Sequence, residues 1–188
     1  MSLLSKKALV LLLTAAASLG ALNAQAAKAV SSDAKPQKVS LLGGKFTFNL
    51  PKGFVANQLP ASANGGSGTL YSNEATKTVV IAAQNSLPPG ISVKDNDGAF
   101  LDGTVADFDI AQHKSLPDYN KLSEKSMTQK SGLGLRQVDG TATQGGGMTL
   151  STTLMAASGS QMAVVQVISR PSDMAAHETL IKQIVSGK

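Results

Sequence analysis

The segment Asp95-Asn96-Asp97-Gly98 has the first claim to chemistry, because acidic and amide oxygens spaced around a glycine can wrap a calcium ion. Setting Gly98 at the glycine of an EF-hand loop puts Val93 at the first ligand position and Thr104 at the last. Both positions require oxygen-rich carboxylates, so the match fails, and the stretch reads as an Asx-rich turn capping a following helix. His113 and His177 are the two histidines, far apart and without ligands at metal spacing. With no cysteine, a zinc site would need three or four other converging ligands. No metal is expected, and His177 reads as an exposed helix-face residue.

Nucleophiles fare no better. Gly66-Ser67-Gly68 lacks the G-x-S-x-G spacing of a nucleophile elbow. Ser32-Asp33-Ala34-Lys35 fits S-x-x-K, but it lies in a small, polar stretch that could not hold a catalytic geometry. Gly145-Gly146-Gly147 precedes a strand pattern, so no helix N-terminus is available to cradle a phosphate. Asp102 and Asp109 would share a helix face, and with Asp107 they read as a solvated acidic face without an apolar pocket to raise one pKa. Lys114, Lys121, Lys125 and Lys130 read as surface charge. No catalytic, cofactor-binding or metal-binding residue is assigned, and the chain is not expected to be an enzyme.

The elements around these residues are easier to read. Val39, Leu41 and Leu42 precede Gly43-Gly44, and Phe46-Thr47-Phe48-Asn49-Leu50 then alternates apolar and polar until Pro51: a β-hairpin. Residues 61–68 read as a flexible loop. A second hairpin is predicted from Thr69–Ser72 and Lys77–Gln84, with Val79-Val80-Ile81 buried on both faces. Residues 95–116 carry helically spaced apolar residues interrupted by Gly103 and read as a helix. Strands follow at 120–128, 135–143, 148–156 and 162–169, the last two carrying Met148, Met155 and Met162, for which core packing is the default. A closing helix has Ser172 as N-cap, an apolar stripe of Met174, Leu180, Ile181, Ile184 and Val185, and Gly187 beyond its end. The expected class is α+β: an antiparallel sheet of about six to eight strands packed against two or more helices.

Location is written at the N-terminus. Lys6 and Lys7 precede the apolar run 8–17, and Ala24-Gln25-Ala26 offers a small-x-small cleavage pattern before Ala27. The reading is a signal peptide over 1–26, a flexible spacer over 27–37 and a single domain over 38–188. The run is too short and alanine-rich to span a bilayer comfortably, and no cysteine is present for lipid attachment. A free periplasmic protein without a stable membrane anchor is expected. Two of the 17 basic residues fall in the leader, leaving 15 against 12 acidic ones, a net charge of +3. Scattered lysines, only Arg136 and Arg170 as arginines, and no tryptophan argue against nucleic acid as a partner.

The segment Val39-Ser40-Leu41-Leu42-Gly43-Gly44-Lys45-Phe46-Thr47-Phe48-Asn49-Leu50-Pro51 resembles the V-x-L-L-x-G-K-x-x-F-x-L-P opening of the DcrB family of bacterial envelope proteins. The likeness runs more loosely from about Gln37 to Val185. It implies a PsbP-like fold, a role in envelope integrity or phage adsorption, and no established enzymatic activity. Related domains in Eag chaperones dimerise and bind apolar helices of their clients, which implies an envelope or secreted protein as partner and is compatible with a homodimer. The missing acylated cysteine departs from the lipoprotein members. Three functions remain open: a protein-binding envelope factor, which predicts an exposed apolar groove; a carrier of a small ligand or lipid, which predicts an enclosed apolar cavity; and a hydrolase, which needs converging Ser, His and Asp.

Overall fold

Strict alternation in Phe46-Thr47-Phe48-Asn49-Leu50 turns three large apolar side chains to one side, and Phe46, Phe48 and Leu50 are at most 1% exposed in the strand they form. The computed structural model describes residues 35–61 and 66–187. The leader with Ala24, Ala26 and Ala27, the spacer up to residue 34, Ser32 and Asp33 of the S-x-x-K pattern, and positions 62–65 of the loop lie outside the described residues.

The order is β1 (Gln37–Leu41), β2 (Phe46–Leu50), β3 (Val55–Gln58), β4 (Ser67–Asn73), β5 (Thr78–Ser86), α1 (Gly98–Ser115), β6 (Asn120–Thr128), β7 (Gly134–Gln144), β8 (Gly147–Ser158), β9 (Gln161–Ser169) and α2 (Met174–Ser186), with 3-10 turns at Leu42–Gly44 and Pro171–Asp173. Strands β1 and β2 form a separate hairpin, and the others form one antiparallel sheet in the order β3-β4-β5-β9-β8-β7-β6. The α+β expectation holds. Gln37, assigned to the spacer, is the first residue of β1, and β3 was not foreseen. Ser67, read as loop, opens β4.

The sheet is covered on both faces, which explains why β5, β8 and β9 are buried along nearly their whole length. On one face α1 packs against β7 and β8, burying Leu101, Val105 and Phe108 against Val138, Met155 and Met162. On the other lie the β1–β2 hairpin and α2, with Leu180, Ile181 and Ile184 joining Phe46, Leu50, Leu154 and Val165 in the larger core. Seven strands span about 29 Å, whereas a helix beside a hairpin covers about 20 Å. The uncovered strip falls over β6 and β7.

Gly43 and Gly44 have positive φ (64° and 93°), and so does buried Leu42 (53°). A leucine in this region is strained. It is held there by its buried side chain and by its N–H, which donates to Gln84 Oε1 at 2.9 Å. Lys45, just after the glycine pair, reaches both oxygens of Asp95 at 2.8 Å and Ser158 Oγ at 2.9 Å. The opening segment thus clasps the turn before α1 to the end of β8.

Candidate functional site

The uncovered strip is a groove of about 510 Å³ between α2 and the β6–β8 end of the sheet, neither sealed nor flat. Leu122, Met127 and Leu150 from the sheet and Met174, Ile181 and Val185 from α2 supply its apolar walls. Leu122 and Met174 stand at its mouth, 58% and 51% exposed. A register shift between Lys121 and Ser123 makes Leu122 the extra residue of a bulge, which accounts for its outward position on the edge strand. Gln129 Nε2 closes one end by donating to Val185 O at 2.9 Å.

The floor is polar and organised around Asp139. Along β7, Leu135, Gln137 and Asp139 point to the α2 side, while Arg136 and Val138 point to α1. Asp139 Oδ1 accepts from Thr152 Oγ1 at 2.7 Å and from Gln137 Nε2 at 2.8 Å. Its Oδ2 accepts from Ser123 Oγ at 2.6 Å, Gln137 Nε2 at 3.0 Å and Lys125 Nζ at 3.4 Å. Burial pushes the Asp139 carboxyl up, but these donors and the Lys125 cation outweigh it and hold the group below the usual range.

Beyond Thr152 the chain of bonds continues to His177 Nε2 at 2.9 Å and from His177 Nδ1 to Ser169 Oγ at 3.0 Å. The hydroxyl of Thr152 has one proton and spends it on a carboxylate that can only accept, so Nε2 carries a proton and donates to Thr152. Nδ1 then accepts from Ser169. Burial lowers the His177 pKa more than the charges of Asp139 and Glu178 raise it, which keeps the ring neutral.

These contacts form a Ser–His–Thr–Asp series, a constellation that the sequence did not display. Ser169 is 2% exposed and Thr152 2%, and neither hydroxyl is presented to a substrate. Asp139 has no lone pair left to offer, so the floor is a satisfied support rather than a set of reacting groups.

Other singled-out residues are absorbed by structure. Asp97 caps α1, accepting from Phe100 N at 3.1 Å, and Asn96 Nδ2 donates to Thr128 Oγ1 at 3.3 Å. With Asp95 held by Lys45 and Ser158, the segment is a clasp and a cap. His113 is exposed at the end of α1, edge-on to Tyr119 at 5.0 Å, and the sheet separates it from His177. Gly145 and Gly146 make the β7–β8 turn with φ of 60° and 87°.

Several expectations need correcting. His177 is buried, 7% exposed, rather than on the open helix face, and Met174, placed in the apolar stripe, is the exposed one. The signal was present: position 177 falls three and four residues before Leu180 and Ile181, on their face. Ser172 lies in the 3-10 turn, and Asp173 is the N-cap of α2. Asp102 is not simply solvated, because Arg136, its side chain 8% exposed, donates Nε to it at 2.7 Å. Asp109 has a buried Oδ1 without a partner. Met148 is 50% exposed, whereas Met155 and Met162 are core.

Fold and groove together define an α+β domain of PsbP-like fold. The cyanobacterial PsbP (CyanoP) of Synechocystis sp. PCC 6803 is similar over 80% of this chain and 89% of its own, with a TM-score of 0.60 at 8% identity. LpqN of Mycobacterium tuberculosis, involved in cell envelope biogenesis, is similar over 80% and 88% with a TM-score of 0.48 at 15% identity. PA94 of Pseudomonas aeruginosa is similar over 79% and 92% with a TM-score of 0.46 at 16% identity. No protein-family model and no curated protein matches the chain.

Proposed function

We propose that the chain is a non-enzymatic periplasmic envelope protein that acts by binding another exported protein in the groove between α2 and β6, in the manner that its resemblance to the DcrB family implies. The observation that carries this reading is the pair Leu122 and Met174. Two large apolar side chains from different elements stand exposed on opposite walls of one groove. Such exposure is costly in water and is relieved by an apolar partner. The satisfied floor adds that the occupant need bring no buried charge, since Asp139 and Thr152 are already paired. Export rests on the leader sequence, and a part in envelope integrity or phage adsorption rests on the resemblance.

A second reading has one observation in its favour. A volume of about 510 Å³ is within the range of small-molecule sites, so an apolar ligand or lipid could fill the groove. Site-specific photo-crosslinkers at Leu122 and Met174, with Ile110 on α1 as the exposed control, separate the two. A discrete protein adduct from both groove positions and not from Ile110, lost from Met174 when exposed Leu122 is replaced by Glu, supports the first reading. Bound lipid in native mass spectrometry, without a protein adduct, supports the carrier. Neither product from either position overturns both.

A further inference from the structure

His177 sits where the inward face of α2 meets the groove, and it is held from two strands at once. Thr152 of β8 takes its Nε2 proton, and Ser169 of β9 donates to its Nδ1. The ring is also a groove-lining residue, between Met174 and Ile181. The wall that an occupant would touch is therefore tied to the sheet at its N-terminal half by one titratable side chain, beside the apolar packing of Leu180, Ile181 and Ile184 further along. The charged groups around it are few. Asp139 of β7 lies one hydroxyl away, Lys125 of β6 neutralises Asp139 at 3.4 Å, and Glu178 of α2 is adjacent and pairs with Lys182 at 3.9 Å. Arg170 and Asp173, in the turn before α2, pair with each other at 3.0 Å. Strands β8 and β9 present hydroxyls.

We propose that His177 is a proton-operated latch on the groove. The neutral ring ties α2 to β8 and β9, and a proton taken up at Nδ1 in acid releases the α2 wall and lowers the affinity for an apolar occupant. The step follows from counting protons. Nδ1 accepts the Ser169 hydrogen bond with its lone pair, and a proton arriving from solvent occupies that lone pair. Ser169, 2% exposed, must then reverse its role, accepting from Nδ1–H and turning its own hydrogen away from the ring. The new cation faces an Asp139 already saturated by Ser123, Gln137, Thr152 and Lys125. Hydrating that charge requires water from the groove side, and the groove side is the α2 wall itself. By linkage, an occupied groove resists the proton by the same factor that the proton resists the occupant.

The latch rests on the groove-binding reading, and one experiment distinguishes their failures. The neutral apolar dye N-phenyl-1-naphthylamine is titrated into the full chain at about pH 7.5 and about pH 4.5, which bracket a histidine lowered by burial and stay above the range of Asp139. Amide exchange of residues 177–184 is followed alongside. His177→Gln keeps an N–H donor for Thr152 but cannot be protonated. Met174→Glu, at an exposed position, reports whether the dye is in the groove. Dye affinity is expected to fall about tenfold in acid for the native chain and to stay level in His177→Gln, with α2 amide protection, taken relative to the intrinsic exchange rate at each pH, falling only in the former. Dye binding that Met174→Glu abolishes but acid leaves unchanged overturns the latch and keeps the groove. Dye that ignores Met174→Glu, or does not bind, overturns the groove reading, and α2 amide protection that is the same at the two pH values then overturns the latch as well. Should His177→Gln not fold, the ring nitrogen shifts of the native protein decide, because an Nδ1–H tautomer at neutral pH contradicts the proposal.

Discussion

The hydroxyl of Thr152 donates to Asp139 Oδ1 at 2.7 Å, which leaves it only lone pairs to offer His177. This single constraint fixes the ring tautomer and the direction of every bond from Ser169 to Asp139. Thr152→Val keeps the shape and removes the relay at its centre. His177 Nε2–H is left buried without an acceptor, and a loss of about 1–3 kcal/mol in urea unfolding is expected. A loss much below 1 kcal/mol would mean that His177 already finds water in the groove.

Acid should act on stability in two separate windows. The folded His177 value is held below its ordinary 6.5 by burial, so the unfolded chain takes up a proton first as pH falls. Stability is full above about 6.5, declines below it, and levels once the folded ring titrates. Asp139 is held below 3.8 in the folded state, so its contribution persists above 3.8 and is lost only as pH falls further. Unfolding midpoints measured from about pH 7.5 down to about pH 4, within the first window, should show a decline in the native chain and none in His177→Gln. A native chain with a flat profile down to pH 4 would contradict the buried placement of His177.

Much of the fold was readable because its signals are local. The β1–β2 hairpin needed only the alternation of Phe46, Phe48 and Leu50 and the glycine pair, and α2 needed only its stripe of Leu180, Ile181 and Ile184. Strand β3 was missed because Val55–Gln58 has one partly buried residue and three exposed ones, and pairs on an edge where polar side chains suffice. The groove was illegible for a different reason. Asp139 became central only when β6, β8 and α2 were brought around it, contacts 13–38 residues distant along the chain; Ser123, for instance, is 16 residues away. A lone aspartate in a strand of otherwise ordinary pattern carries no local mark of that company. The resemblance segment proved to be a scaffold device, with Leu42 strained and Lys45 clasping Asp95.

On the α1 face, Arg136 and Asp102 should respond unequally to truncation. The guanidinium is 8% exposed and the carboxylate 64%. Arg136 Nη2 also donates to Gly98 O and Nη1 to Leu135 O, both at 3.4 Å. Asp102→Ala leaves a mostly buried cation with only carbonyl partners, whereas Asp102→Asn keeps an oxygen for Nε. The alanine variant is expected to cost about 2–3 kcal/mol and the asparagine variant about 1 kcal/mol or less, by denaturant unfolding. Equal losses would show that charge, not the hydrogen bond, is what Arg136 requires.

Tyr119 offers a spectroscopic test of how α1 meets the sheet. Its ring lies against Gly140, where an added Cβ would stand 2.9 Å from Cε2, closer than any relaxed contact. Only glycine leaves the ring room to lie flat on β7, and that position buries the phenol, 7% exposed. Burial first, and the Asp109 charge second, push the Tyr119 pKa up to about 12. Absorbance titration should therefore find one of the two tyrosines ionising near 12. Asp109→Asn should bring that value down by a part, since it removes only the lesser cause. Gly140→Ala should bring it down further, because it displaces the ring from its cover, and should weaken the edge contact with His113 seen in the aromatic ring-current shifts. If Gly140→Ala leaves the high value intact, the ring is not packed on β7, and the seating of the C-terminal end of α1 would have to differ from the one described.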